Sequence, residues 1–95
     1  MPYITKEDRS VIDTLIGKDF SPQHGGELQY AIAVLVQRYY ENSCNGKPRY
    51  KHMEQMMGAL SGAVQEHYRV VVAPYEDEKI LENGGVYNVG RNKSY

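Results

Sequence analysis

The chain has 95 residues, with 11 Lys and Arg against 12 Asp and Glu, and its formal charge of −1 excludes a surface built throughout to grip nucleic acid or an anionic membrane. A single domain of this length buries only about 60 to 65% of its unfolded surface, so its core is small and self-association is favoured. One cysteine, Cys44, excludes an intramolecular disulfide; with no apolar run of bilayer length and no charged-then-apolar leader, the expectation is a cytoplasmic protein without a membrane partner.

The first helix is expected to start at Thr5-Lys6-Glu7-Asp8, where a hydroxyl caps and carboxylates fill the first turn, and to end at Gly17. Val11, Ile12, Leu15 and Ile16 lie along one side of it. Residues 17–26 carry Asp19, Ser21, Pro22 and paired glycines without periodicity, and read as a loop.

From Glu27 to about Tyr40, Leu28, Ile32, Leu35 and Tyr39 recur at steps of four, three and four, widened by Ala31 and Val36, which predicts a second helix. Asn42 to Pro48 holds asparagine, glycine and proline, a stop of the length that joins antiparallel neighbours. The third helix is expected from about Arg49, with Met53, Met57, Leu60, Val64, His67 and Val71 forming a seam in alternating steps of four and three. Gly58 and Gly62 each cost about 1 kcal/mol of helix propensity, a loss that makes sense where another backbone approaches closely.

The run Tyr68 to Lys79 sets three valines, a proline and an acidic cluster against the helical pattern. Proline in a helix interior removes a donor and clashes with the preceding turn, whereas at a helix start it is tolerated beside acidic residues. A break or kink at Pro74 is therefore expected, with Arg69 pairing across it to Glu76, Asp77 or Glu78. A short fourth helix then runs to about Glu82 and is closed by Asn83-Gly84-Gly85. Residues 1–87 form the predicted domain, and 88–95 a weakly ordered tail. The predicted fold is all-α: a helical hairpin with a short N-terminal helix and a post-proline C-terminal helix, assembled as an oligomeric helical bundle.

Nine tyrosines, one phenylalanine and no tryptophan favour half-wet surfaces over a dry interior. Among the polar residues, Lys47, Arg49, Tyr50, Lys51 and His52 gather cations, an aromatic ring and backbone donors at the start of the third helix, a composition suited to an anionic, nucleotide-like ligand. Arg38 joins this patch if the second and third helices form a hairpin; the bland alternative is a solvated basic turn. Met53, Met57, Gly58, Leu60, Gly62, Val64 and His67 are the candidate interface. Glu78 and Glu82, four apart, would share a helical face and seat a magnesium ion in a nucleotide hydrolase, but a solvated helix start is the stronger explanation. His67 has no second histidine at ligand spacing, and Cys44 gains an activator only if the fold brings His52 to it. No metal, cofactor or catalytic residue is assigned, and nucleic acid is not an expected partner.

The opening Met1-Pro2-Tyr3-Ile4 with Glu7-Asp8-Arg9, the start Gly26-Glu27-Leu28, and the close Val72-Ala73-Pro74-Tyr75-Glu76-Asp77-Glu78-Lys79 with Glu82-Asn83-Gly84 and Val86-Tyr87 resemble a family of short uncharacterised bacterial and bacteriophage proteins. The resemblance spans most of the chain and implies no activity or site. By analogy with small proteins of mobile elements, the expected function is non-catalytic capture of an anionic ligand or a host protein near a homo-oligomer interface. The alternatives are a metal-dependent nucleotide hydrolase and a structural or assembly subunit.

Overall fold

In the computed structural model, which describes residues 2–87 and 89, Thr5 caps as its position predicts. Its Oγ1 accepts from the backbone N–H of Asp8 at 3.1 Å, and α1 runs Lys6–Ile16 to Gly17, whose φ of 75° ends it. The second helix, α2, spans Gly25–Cys44 and is longer at both ends than its apolar stripe indicates. At the start, His24 Nδ1 accepts from the Glu27 N–H at 3.3 Å, while Glu27 Oε1 accepts from the Gln23 N–H at 2.7 Å. Gly26 belongs to this cap, because a Cβ there would lie 3.3 Å from the His24 ring. At the other end, Ser43 Oγ donates to the Tyr39 carbonyl at 2.7 Å and Cys44 Sγ to the Tyr40 carbonyl at 3.2 Å, so residues read as a stop complete the last turn. The chain leaves through left-handed Asn45 and Gly46, and the Gly46 N–H closes on the Tyr40 carbonyl.

Helix α3, Tyr50–His67, begins at Arg49 as expected. Pro74 does not break the rod that follows. A π-helical turn over Tyr68–Val72 carries the chain directly into α4, Ala73–Asn83, with the Ala73 N–H bonded to the Tyr68 carbonyl five residues back. The wider turn is the physical alternative to a break: it resets the bonding ladder just before the residue that has no N–H to offer it. Helical backbone thus continues from Tyr50 to Asn83, closed by Gly84 with φ 85°.

The described residues are helical with no strand, and packing between the helices is sparse. α2 and α3 touch, with the Tyr39 hydroxyl donating to Gln55 at 3.3 Å, but α1 packs against no other helix. Met56 is the one buried apolar residue among those described. It does not belong to the expected seam: Met53, Met57 and Val64 are exposed, as are Leu28, Ile32 and Leu35 of the α2 stripe. The radius of gyration is 18.2 Å, against about 12 Å for a compact domain of this length. The accessible surface is 8601 Å², against about 5,500 Å² for a compact folded chain of this mass. The tail expectation falls outside the described residues except at Val89.

Replacing Pro74 by alanine restores the missing donor. The variant is expected to gain about 1 to 3 kcal/mol of helix stability, read as higher helicity and a raised Tm by circular dichroism; an unchanged or lowered Tm would show that the π turn already offsets the proline fully.

Candidate functional site

The α3 start gathers the predicted ligand residues in sequence order. Arg49 is the N-cap; Tyr50 opens the helix with its ring exposed, and Lys51 follows. His52 Nδ1 accepts from the Arg49 N–H at 3.0 Å, so the ring is anchored as a cap and its Nε2 edge remains to donate. Lys47 lies in the preceding turn, its N–H on the Cys44 carbonyl at 3.1 Å. Among the described residues none of Arg38, Lys47, Arg49 and Lys51 is in an ion pair, so their charges are available to an anion. Arg38 borders a shallow surface hollow with Tyr30, Gln37 and Glu41, all of α2, and no residue of the α3 start lines it.

The expected interface residues divide between two faces. At 100° per residue, Met53, Met57, Leu60, Val64 and His67 share one side of α3, while Gly58 and Gly62 lie about 140 to 180° around from Met53. Nothing comes within 4 Å of a Cβ built at either glycine, so no contact among the described residues requires them.

The carboxylates after Pro74 are engaged locally. Glu76 Oε1 accepts from the Tyr68 hydroxyl, and Glu82 Oε2 holds Lys79 Nζ at 3.1 Å, with the same ammonium 5.4 Å from the Tyr75 ring centre. Among the described residues there is no group of three or more His, Cys, Asp and Glu able to hold a metal. A groove of about 1020 Å³ runs along α4, bordered by Tyr68, Tyr75, Glu76, Asp77 and Tyr87. Arg69 does not cross the proline to these acids; it pairs back to Glu66, three residues earlier on the helix, where the partner is in reach without spanning the wide turn. Cys44 is half-buried with its thiol on the Tyr40 carbonyl, and no hydrogen bond joins it to His52.

Sequence periodicity gave no sign of the cluster around Glu66. The Tyr3 hydroxyl donates to Glu66 Oε1 at 2.9 Å across 63 positions of sequence, and the Arg69 guanidinium donates to the same oxygen. Arg9 lies 5.7 Å from the Tyr3 ring centre and donates from Nε to the Ile4 carbonyl at 2.9 Å. The only local hint is a tyrosine next to a helix cap with a basic residue one turn on.

The family described as a domain of unknown function, DUF6899, matches residues 1–86. The chain belongs to that family. No curated protein and no solved structure matches it. The DUF6899 match takes in Tyr3, the basic α3 start, Glu66 and the whole of α4, and it agrees with the uncharacterised family that the opening and closing strings resemble. No helix among the described residues is long and apolar enough to cross a membrane.

The Arg69 guanidinium first, and the Tyr3 hydroxyl second, hold the Glu66 carboxyl below its ordinary value of 4.5, and Glu66 in turn raises Arg69. A lowered folded value means that the ionised form is favoured by folding. Its contribution is complete above 4.5 and is lost as the pH falls through the lowered value. Wild type is therefore expected to exceed Glu66→Gln in Tm near neutral pH, with the gap closing on acidification below 4.5. A gap that stays constant with pH would show that the carboxylate charge is not what ties Tyr3 to α3.

Proposed function

We propose that the protein is a non-catalytic binding protein that works as a homo-oligomeric helical bundle and captures an anionic, nucleotide-like ligand at the α3 start. The observation that carries this reading is the apolar surface left uncovered by a single chain. Met53, Met57 and Val64 line one exposed face of α3, and Met56 alone is buried among the described apolar residues. A flexible methionine face suits a self-complementary contact about a two-fold axis, with Leu60 and His67 on its flank.

The ligand half of the proposal rests on charge and donors. Arg49 and Lys51 are in no ion pair among the described residues, Lys47 flanks them, Tyr50 presents an exposed ring for stacking, and His52 keeps one nitrogen to donate. The N-terminus of α3 lies at the same end, and a helix N-terminus favours negative charge. A bacterial or bacteriophage source and a cytoplasmic location belong to the same proposal. The hydrolase alternative is less well supported, since Glu82 is already committed to Lys79.

Native mass spectrometry of the purified protein with a mixed pool of nucleotides and cyclic nucleotides tests both halves. The expected result is a discrete oligomer carrying an unaltered nucleotide mass. Arg49→Ala with Lys51→Ala is expected to lose that mass, with affinity reduced about tenfold or more, and to keep the oligomer. A monomer at high concentration overturns the assembly, and retention of the ligand by the double variant overturns the site. Conversion of the nucleotide would promote the hydrolase, whereas an oligomer that binds none of the pool would leave a structural subunit or a protein-capturing one.

A further inference from the structure

We infer that α1 is an exchanged arm, whose apolar stripe packs on the α2 stripe of a second copy of the chain. This rests on the homo-oligomer reading and names a second contact within it. The stripe is Val11, Ile12, Leu15 and Ile16, all exposed, with Leu15 at 79%. No other helix of its own chain packs on it.

One end of α1 is pinned to its own chain and the other runs on into it. At its root, Tyr3 is held by Glu66 near the end of α3, and Arg9 lies beside the Tyr3 ring. At its far end, Gly17 leads through residues 17–24 to the His24 cap of α2. An amphipathic helix pinned at its root and exposed along its apolar side is poised to receive something from outside.

A second copy fits for three reasons. First, the α2 stripe Leu28, Ile32, Leu35 is exposed in the same chain and needs a partner of the same kind. Second, the lengths are compatible: the α1 stripe from Val11 to Ile16 rises about 8 Å, within the roughly 10 Å from Leu28 to Leu35 on α2. Third, the chain exposes about 3,000 Å² more than a compact chain of its mass, whereas a standard interface takes only about 800 Å² from each partner. The α3 face alone does not account for that surplus. A symmetric exchange covers two α1 and two α2 stripes with one kind of contact.

Single-cysteine chains decide it, because they can crosslink only between copies. Leu15→Cys and Ile32→Cys are each made with Cys44→Ser, mixed, refolded together and oxidised. The mixed dimer, joined by a disulfide between position 15 of one copy and position 32 of the other, is expected to form well ahead of a control pairing of Leu15→Cys with Leu81→Cys, an exposed site on α4. Leu15→Glu, on the solvent side of a single chain, is expected to weaken self-association by about tenfold or more in sedimentation. Wild type is run alongside. A monomeric wild type overturns the homo-oligomer reading and this inference together, and leaves the stripe to a foreign partner. An oligomeric wild type with no preference for the 15-to-32 crosslink and an unaffected Leu15→Glu overturns the arm alone.

Discussion

The backbone at Tyr68–Val72 governs the rest of the structure. A chain of this size can build its own core only if its helices fold back on one another, and the natural place for the last reversal is the proline near residue 74. The π turn removes that opportunity. By shifting the Ala73 N–H to the Tyr68 carbonyl it lets helical backbone pass Pro74, so that α3 and α4 form one rod of 34 residues with the wide turn. Such a rod is about 50 Å long, close to the longest dimension of the molecule, 52 Å. Beyond the contact of α2 with α3, the described residues tie back to this rod through the N-terminal strap that ends on Glu66. The exposed stripes of α1, α2 and α3 are the consequence of that geometry.

The legibility of the sequence follows how local each signal is. α1 could be read to the residue because Thr5, Asp8 and Gly17 act within one turn of themselves. α2 was underestimated because its ends are built from residues with poor helix propensity, and two features rescue them. Gly26 makes room for the His24 ring, and Ser43 and Cys44 return their side chains to carbonyls one turn back. Proline spoke for a break, but the choice between a break and a widened turn depends on whether the flanking valines gain more from continuing the helix, which no local pattern encodes. The α3 basic start was legible as composition. That His52 caps Arg49, and that Arg38 sits among other α2 residues, required the fold.

Gly58 and Gly62 raise a separate question of economy. Two helical glycines cost about 2 kcal/mol together relative to alanine, and no described atom crowds the positions their side chains would take. The face they occupy is polar, with Lys51, Gln55 and Gln65 at neighbouring angles, and it is turned away from Met53, Met57 and Val64. A rod with an apolar face on one side and a shaved polar face on the other has two sides on which a neighbour can come close. That is compatible with a bundle of more than two helices around α3.

If the chain is a homo-oligomer as proposed, its stability is tied to assembly. With one buried apolar residue among those described, little burial within a single chain offsets an ordering cost of about 1 to 2 kcal/mol per residue. Caps and side-chain bonds such as Tyr3 with Glu66 orient the helices, but exposed polar contacts contribute only a small part of what ordering requires. On the homo-oligomer reading the missing free energy comes from the surfaces between copies, so folding and association are one equilibrium and the fraction folded rises with protein concentration. The same coupling reaches the α3 start, because Arg49, Tyr50 and Lys51 hold their relative positions only while α3 is helical. An anion bound there would stabilise the helix from its N-terminal end, and the assembly with it, so ligand and oligomer would each strengthen the other.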